Sequence, residues 1–239
     1  PTRITAITFP GKAGIVDIER QAKLGGALHT KGVLILNGYI NGLYGQEQPL
    51  SLSASLTFEQ SYDEVQGDSA SAAELVALLS SIARIPIRQD RAITGSINQL
   101  GQIQAIGGVN EKIEGFFAVC KAIGLTGDQG VIIPRSNQRH LMLKNDVLTA
   151  VKEGKFHIWA ISSLDEAITI LLDMQPGARL PDGTYPSGTL HKAVQERLNE
   201  FNRAVIAATK NAAKQPPETE QKENKADPDN TNANTMPIQ

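Results

Sequence analysis

Short runs of apolar residues, several of them alternating with polar ones, predict strands along much of the chain. The clearest run is 50–58, in which every second residue is apolar and one face therefore turns to a core. The apolar run 33–36 is bounded by glycines, which predicts a buried strand. The segment 14–19 is expected to pair with the first strand as a hairpin. The predicted strands are 2–9, 14–19, 33–36, 50–58, 92–97, 103–106, 131–133 and 156–161.

Apolar residues spaced three or four positions apart predict the helices. In 70–83, Leu75, Leu78, Leu79 and Ile82 fall on one helical face. Glycine-rich 25–32 is predicted as loop, while 39–44 is ambiguous, with a short helix weakened by its glycine as one interpretation. The predicted helices are 70–83, 109–123 (ended by Gly124), 141–151, 164–172 (capped by Ser162 or Ser163) and 189–213.

This alternation of strands and helices predicts one α/β domain with flanking helices, and inserted hairpins make its sheet mixed, in an α+β-like way. The domain is expected to span 1–173, and 174–188, with three prolines and three glycines, reads as a linker. The amphipathic helix 189–213 is expected to pack on the domain or on another subunit. The remainder, 214–239, has almost nothing to bury and predicts a disordered tail.

Composition narrows the classes of function. A net charge of −2 over 239 residues provides no basic field for nucleic acid or acidic lipids, and no apolar run reaches the length of a membrane span. The single cysteine, Cys120, excludes an internal disulfide, suits a reducing cytosol and has the apolar neighbours of a core residue. Because the chain starts at Pro1 without methionine, we expect a fragment whose partner module lies elsewhere.

Two loop-to-helix junctions contain the candidate chemistry. Ser69 lies in Gln66-Gly67-Asp68-Ser69-Ala70-Ser71, and Lys112 ends Gly107-Gly108-Val109-Asn110-Glu111-Lys112 about forty residues later. A serine hydroxyl needs a neighbouring base to attack peptide bonds, and backbone N–H groups at a helix start can stabilise an oxyanion.

Histidine is the usual base, but this chain has no Gly-x-Ser-x-Gly elbow for a serine–histidine site. Its histidines also lack paired metal-ligand spacing, so structural or surface roles are expected for His29, His140, His157 and His191. No phosphate-binding loop is present in the sequence, since Gly11-Lys12 and Lys31-Gly32 lack the required glycine spacing.

Lysine can act as the base only when neutral, so its ordinary pKa of about 10.4 must fall by roughly 2 to 3 pH units. Lys112 is expected at the border of an apolar stripe with Phe116, Val119 and Ile123, in the first turn of a helix whose dipole disfavours a cation. Adjacent Glu111 would keep it protonated, but successive helix residues point about 100° apart. The alternatives are a solvated lysine and a capping box, Ser71-x-x-Glu74, in which the serines only begin a helix.

The combined motifs resemble the proteolytic domain of Lon proteases. Gly67-Asp68-Ser69-Ala70-Ser71, Thr94-Gly95-Ser96 and Gly107-Gly108-x-x-Glu111-Lys112 are similar to the branch of archaeal and bacterial Lon-related proteins. In that branch Gly-Asp-Ser-Ala-Ser replaces the Gly-Pro-Ser-Ala-Gly of the classical enzyme. The stretches 58–62 and 131–134 also resemble it, and the similarity covers roughly 14–172 in order.

This resemblance implies a fold like domain 2 of ribosomal protein S5 and a serine endopeptidase with a Ser–Lys dyad, Ser69 as nucleophile and Lys112 as general base. Thr94 matches the threonine that supports the lysine, and Asp68 and Gln66 are the other supporting candidates. Many relatives have an acidic residue where Gln66 stands, three before the serine, and that acid can hold the lysine in an inactive arrangement. Because Gln66 is uncharged, this chain lacks the negative charge that those relatives place there.

For the whole protein, the resemblance implies a cytoplasmic homohexameric ring that degrades unfolded or damaged polypeptides. Its ATP and magnesium would belong to an ATPase (unfoldase) module outside this chain, in which we expect no cofactor and no metal. One alternative is a proteolytically silent Lon-fold assembly module, as in DNA-repair ATPases, although such relatives generally lack the pair. Another is an RNA binder that shares the fold, against which the acidic balance argues.

Overall fold

Two three-stranded sheets and one two-stranded hairpin contain the strands in the computed structural model, which describes residues 1–212. The strands are β1 Arg3–Pro10, β2 Gly14–Asp17, β3 Leu52–Glu59, β4 Arg91–Ile93, β5 Ser96–Ile97, β6 Ile103–Gln104, β7 Gly130–Pro134 and β8 His157–Ile161. The helices are α1 Ile18–Gln21, α2 Ala27–Tyr44, α3 Ser71–Ala83, α4 Val109–Ile123, α5 Asn145–Lys152, α6 Leu164–Leu172 and α7 Leu190–Ala212, with a 3₁₀ helix at Arg135–His140. The mixed α/β class with flanking helices is confirmed, but the strands are divided among separate sheets.

The first sheet has the order β1-β3-β2, so the predicted hairpin between the first two strands is wrong. β1 is antiparallel to β3, whereas β2 lies parallel to the opposite edge of β3. The connection crosses the end of β3, where the Gly11 N–H donates to the Ser51 carbonyl and the Ala13 N–H donates to Ser53 Oγ. The apolar face of β3 thus gains neighbours on both sides, which a two-stranded hairpin could not supply.

A single helix, α2, replaces the loop predicted over 25–32 and the buried strand predicted over 33–36. Its buried residues Val33, Leu36 and Ile40 recur every three or four positions, and they face the core on one side. The exposed Leu34 lies between them, so the apolar run 33–36 contributes to two sides of a helix. A short apolar run does not by itself distinguish a strand from a segment of a buried helix.

Helix α3 forms the centre of the larger core, because Leu75, Leu78, Leu79 and Ile82 are completely buried, as predicted. A second apolar cluster joins α4, β7 and α5, and Cys120 lies within it, which confirms its assignment to the core. Burial also raises the pKa of the Cys120 thiol.

The second half of the chain largely follows the predicted elements. The helices predicted over 109–123 and 164–172 have those bounds, and Ser163 caps α6 by accepting from the Glu166 N–H. In the predicted hairpin, β5 pairs with β6, but β4 separates and runs parallel to β7. The helix predicted from residue 141 begins only at Asn145.

Helix α7 packs on its own domain, which is one of the two positions expected for it. Leu190, Val194, Leu198 and Phe201 belong to the larger core cluster. The predicted disordered tail lies outside the described residues. Within residues 1–212, no helix has both the length and the apolar character that crossing a membrane requires.

Candidate active site

The loop between β3 and α3 presents Ser69 immediately before the helix. Gly67 adopts a positive φ of 78°, a backbone conformation that side chains with a Cβ disfavour, and this allows the chain to turn. The Gly95 N–H donates to the Ser69 carbonyl at 2.8 Å, and the Ala72 N–H donates to the Gly95 carbonyl at 3.1 Å. Ser69 is therefore fixed by the backbone of the segment that follows β4.

Lys112 reaches the same point from α4, which begins after Gly108 in the left-handed region, with φ 66°. Its Nζ donates to Ser69 Oγ at 2.8 Å, although the two residues are 43 positions apart along the chain. The structure thus brings together the two residues that the sequence singles out. No hydrogen bond or ion pair joins Lys112 to Glu111 within the described chain.

Thr94 is the third group at this junction. Its Oγ1 accepts from Lys112 Nζ at 3.3 Å and donates to the Ser69 carbonyl at 3.3 Å. One hydroxyl thereby contacts both the amine and the backbone of the serine. This arrangement fixes the amine relative to the serine hydroxyl.

Partial burial lowers the pKa of Lys112, which favours the neutral amine, and the nearby Asp68 carboxylate opposes this by raising it. Asp68 is itself held by Ser96, whose Oγ donates to Asp68 Oδ2 at 2.8 Å. The predicted stripe on α4 is wrong in part, since Val119 is 40% exposed and Ile123 is 76% exposed. The face that packs in the core is instead Val109, Ile113, Phe117 and Cys120.

The capping-box interpretation of Ser71 and Glu74 is wrong. The cap position is Ala70, with no side-chain cap. Ser71 Oγ donates to the Asp68 carbonyl at 2.8 Å and accepts from the Ile97 N–H at 3.1 Å. Ser71 therefore connects the serine loop to β5, and Glu74 turns away from the helix start toward His29.

Gln66 is not brought to the pair. Its Nε2 donates to Glu64 Oε2 at 3.1 Å on the exposed side of the loop. Of the three supporting candidates, Thr94 contacts Lys112, and Asp68 raises the pKa of that lysine. Gln66 does neither, because it pairs with a carboxylate nearby in sequence.

An open groove of about 670 Å³ runs past Ser69, Thr94 and Lys112. Its polar lining includes Arg3 on β1, Arg91 on β4, and Arg88 and Gln89 just before β4. The apolar side chains that line it are Ile4, Phe58, Val76, Ile87, Ile93, Phe116, Val131 and Leu171. Such a groove can accommodate an extended chain with apolar side chains.

Reasoning from the sequence missed three contributions. Ser96 lies in the Thr94-Gly95-Ser96 motif, but the sequence does not indicate its bond to Asp68, and it suggests for Ser71 only a capping role. The histidines other than His29 have structural or surface positions: His140 is exposed, His157 bonds the Gly127 carbonyl, and His191 bonds Tyr44. His29 is different, since among the described residues one group of three side chains has metal-ligand geometry, and it combines His29 with Asp17 and Glu19 outside the groove.

Comparisons with known proteins point to one family. Residues 64–174 match the model of the Lon protease (S16) C-terminal proteolytic domain. A putative Lon protease homolog of Escherichia coli is 49% identical over 203 residues, covering 85% of this chain and 34% of the relative. One from Haemophilus influenzae is 41% identical over 198 residues, covering 83% and 33%.

An archaeal Lon protease of Methanocaldococcus jannaschii is 37% identical over 119 residues, covering 50% of this chain and 16% of that protein. The chain spans about a third of the length of the two bacterial relatives. The matched range contains Ser69, Thr94 and Lys112 together. On these grounds the chain belongs to the Lon protease family and contains its C-terminal proteolytic domain.

Proposed function

We propose that this domain is a serine endopeptidase in which Ser69 is the nucleophile and Lys112 the general base. The observation that supports this most directly is the 2.8 Å contact from Lys112 Nζ to Ser69 Oγ. The lowered pKa of Lys112 supports it too, because only the neutral amine can accept a proton.

In the first step, Lys112 Nζ accepts the hydroxyl proton while Ser69 Oγ bonds to the scissile carbonyl carbon. The resulting tetrahedral intermediate collapses, the C–N bond breaks, and the Lys112 ammonium returns the proton to the leaving amine. A water molecule then gives a proton to neutral Lys112 and attacks the acyl carbon. Breaking of the ester bond releases the carboxylic acid and restores the Ser69 hydroxyl with the proton from Lys112.

The backbone at the start of α3 is the candidate oxyanion site. The Ser69 and Ala70 N–H groups donate to no other group in the described part of the chain. They precede the helix, where unpaired N–H groups and the positive end of the helix dipole favour negative charge. An oxyanion that forms on the substrate carbonyl would accept from them, which contributes to the rate because the donors are already oriented.

We infer that the substrates are unfolded polypeptides, since an open groove with apolar lining fits an extended chain better than a folded surface. For the whole protein, we infer a cytoplasmic homohexamer in which an ATP-driven unfoldase on the same polypeptide delivers these substrates. The family supports this inference, and the chain spans only about a third of its bacterial relatives, which leaves length for such a module.

The test uses the domain joined to its ATPase part and measures hydrolysis of casein. Ser69→Ala and Lys112→Ala should each abolish it, by at least about a thousandfold, because the nucleophile and its base act as a unit. Lys121→Ala, on an exposed part of α4, is the matched control and should retain activity. Unaltered hydrolysis in either active-site variant would refute the dyad.

Labelling with a peptide boronate separates the peptidase from a silent assembly module. Boron should form a bond with Ser69 Oγ in the wild-type domain and not in Ser69→Ala. A folded wild-type domain that fails to react would favour the scaffold role.

A further inference from the structure

A cluster of ionisable side chains from β2, α1, α2 and α3 lies in the interior. Asp17 and Glu19 are 4% exposed, and His29 and Glu74 are 1% exposed. Buried carboxylates are destabilising unless they are paired, hydrogen-bonded or coordinated to a metal. Three carboxyl groups face a single imidazole here, so the cluster has an excess of potential negative charge.

Hydrogen bonds satisfy this cluster only in part. Glu19 Oε1 accepts from Thr57 Oγ1 and from the Phe58 N–H, both at 2.8 Å. Its other oxygen, Oε2, has no hydrogen-bond partner among the described residues, and the same holds for Asp17 Oδ2 and His29 Nε2. The latter two atoms are 3.1 Å apart but are not aligned as donor and acceptor. Glu19 therefore directs an oxygen without a hydrogen-bond partner into the cluster, and Asp17 Oδ2 and His29 Nε2 form an ion pair with each other without an aligned hydrogen bond.

The geometry is close to that of a metal site. One ligand atom from each of Asp17, Glu19 and His29 lies within 4.8 Å of the others. Three atoms so spaced share a point roughly 2.8 Å or less from each, compared with about 2.0 to 2.2 Å for zinc bonds to nitrogen and oxygen. Side-chain shifts of at most about 0.6 to 0.8 Å would therefore close the site around an ion.

Glu74 lies on the other side of the imidazole. Its Oε1 is 3.6 Å from His29 Nδ1 and has no hydrogen-bond partner in the described chain. A histidine that binds a metal through one nitrogen commonly donates from the other to a carboxylate, which fixes the ring. This distance is longer than a hydrogen bond, so the Glu74 carboxylate and the ring would have to approach each other by several tenths of an ångström before Nδ1–H could donate to Oε1.

We propose that Asp17, Glu19 and His29 bind one divalent transition-metal ion, with Glu74 orienting His29. The mixed nitrogen and oxygen ligands favour zinc or manganese over calcium or magnesium, which prefer oxygen alone. The ion would neutralise two carboxylates and link the end of β2, α1 and α2. Through Glu74 it would also support the first turn of α3, directly after Ser69.

The experiment uses untagged protein treated with a chelator and then titrated with zinc. We expect one bound equivalent by elemental analysis and a rise in melting temperature with zinc concentration. Asp17→Asn and Glu19→Gln should each weaken binding at least tenfold, and Glu74→Gln about 10- to 100-fold. Glu19→Gln keeps the oxygen that accepts from Thr57 and Phe58, and His140→Gln, at an exposed histidine, is the matched control.

Cobalt provides a second readout on the wild-type protein, should a variant fail to fold. Cobalt bound by these three side chains should give a visible absorption band that excess zinc removes. The proposal is overturned if no stoichiometric metal binds, or if folded Asp17→Asn and Glu19→Gln bind zinc as the wild type does. No substrate takes part in these measurements, so their outcome is independent of the peptidase proposal.

Discussion

The Gly95 N–H donates to the Ser69 carbonyl at 2.8 Å and so attaches the serine loop to the segment that contains Thr94. A second bond between the same segments forms three residues after Ser69, where the Ala72 N–H donates to the Gly95 carbonyl. These bonds resemble a short strand pairing that ends at the start of α3. The serine and the threonine are therefore held together by the backbone, and only the lysine reaches the site by a long side chain.

Thr94→Val should lower kcat by about 10- to 100-fold and change KM little, because the lost hydroxyl positions the amine and does not bind substrate. Thr94→Ser retains the hydroxyl that contacts both Lys112 and the Ser69 carbonyl, and it should stay within a few-fold of wild type. Steady-state peptide hydrolysis measures both constants. A valine variant with unchanged kcat would show that Thr94 has no positioning role.

The pH dependence of kcat/KM should contain the titration of Lys112. Burial lowers its pKa, so activity should rise with pH and level off below the ordinary lysine value of about 10.4, as the neutral amine becomes the main form. Asp68 raises this pKa, and Asp68→Asn should therefore shift the rising limb to lower pH. The asparagine keeps an oxygen for Ser96 Oγ, which preserves the local hydrogen bond.

Glu111→Gln is the control for this profile, because Glu111 also lines the groove but makes no ion pair with Lys112 in the described structure. Its rising limb should coincide with that of the wild type. A limb that moves to higher pH in Asp68→Asn would contradict the assignment of the titration to Lys112.

Ser71→Ala should destabilise the fold by about 1 to 3 kcal/mol, because it leaves the buried Ile97 N–H without an acceptor. The loss of a helix cap would lower the free energy of unfolding by a similar amount. The contact between Ser71 and the serine loop predicts a second effect, on the reactivity of Ser69. Ser71 Oγ also donates to the Asp68 carbonyl, so boronate labelling of Ser69 should slow as well. Urea denaturation gives the stability, and Ser136→Ala, at an exposed serine, should leave both measurements unchanged.

Most of the candidate site could be predicted from the sequence, because each of its motifs is a short continuous stretch. A serine before an amphipathic helix, a glycine pair before another, and a threonine step form compact motifs, and their helices have periodic apolar faces. Convergence of Ser69, Thr94 and Lys112 was expected from the resemblance, since nothing in the spacing alone brings them together. Gln66 does not contact the lysine as the resemblance implies, because its side chain pairs with Glu64 instead.

The wrong predictions concern segments whose structure depends on contacts with residues far away along the chain. The position of β2 depends on β3, which lies almost forty residues later and takes the edge that a hairpin would use. In α2, Gly32, one of the glycines that indicate a loop, is accommodated within a helix, where it faces Asp68 and Ser71. The environment of His29 was likewise hidden, because its partners come from β2, α1 and α3, and no spacing in the sequence relates them.

The contribution of α7 to the stability of the domain can be tested at Phe201. Its side chain is 2% exposed and packs in the same core as α3, so Phe201→Ala should lower the free energy of unfolding by about 3 to 5 kcal/mol. Ile206, on the same helix, is 53% exposed, and Ile206→Ala should change stability by less than about 0.5 kcal/mol. If α7 instead acted only between subunits, Phe201→Ala would alter the oligomeric state seen by sedimentation and leave the urea midpoint of the monomer unchanged.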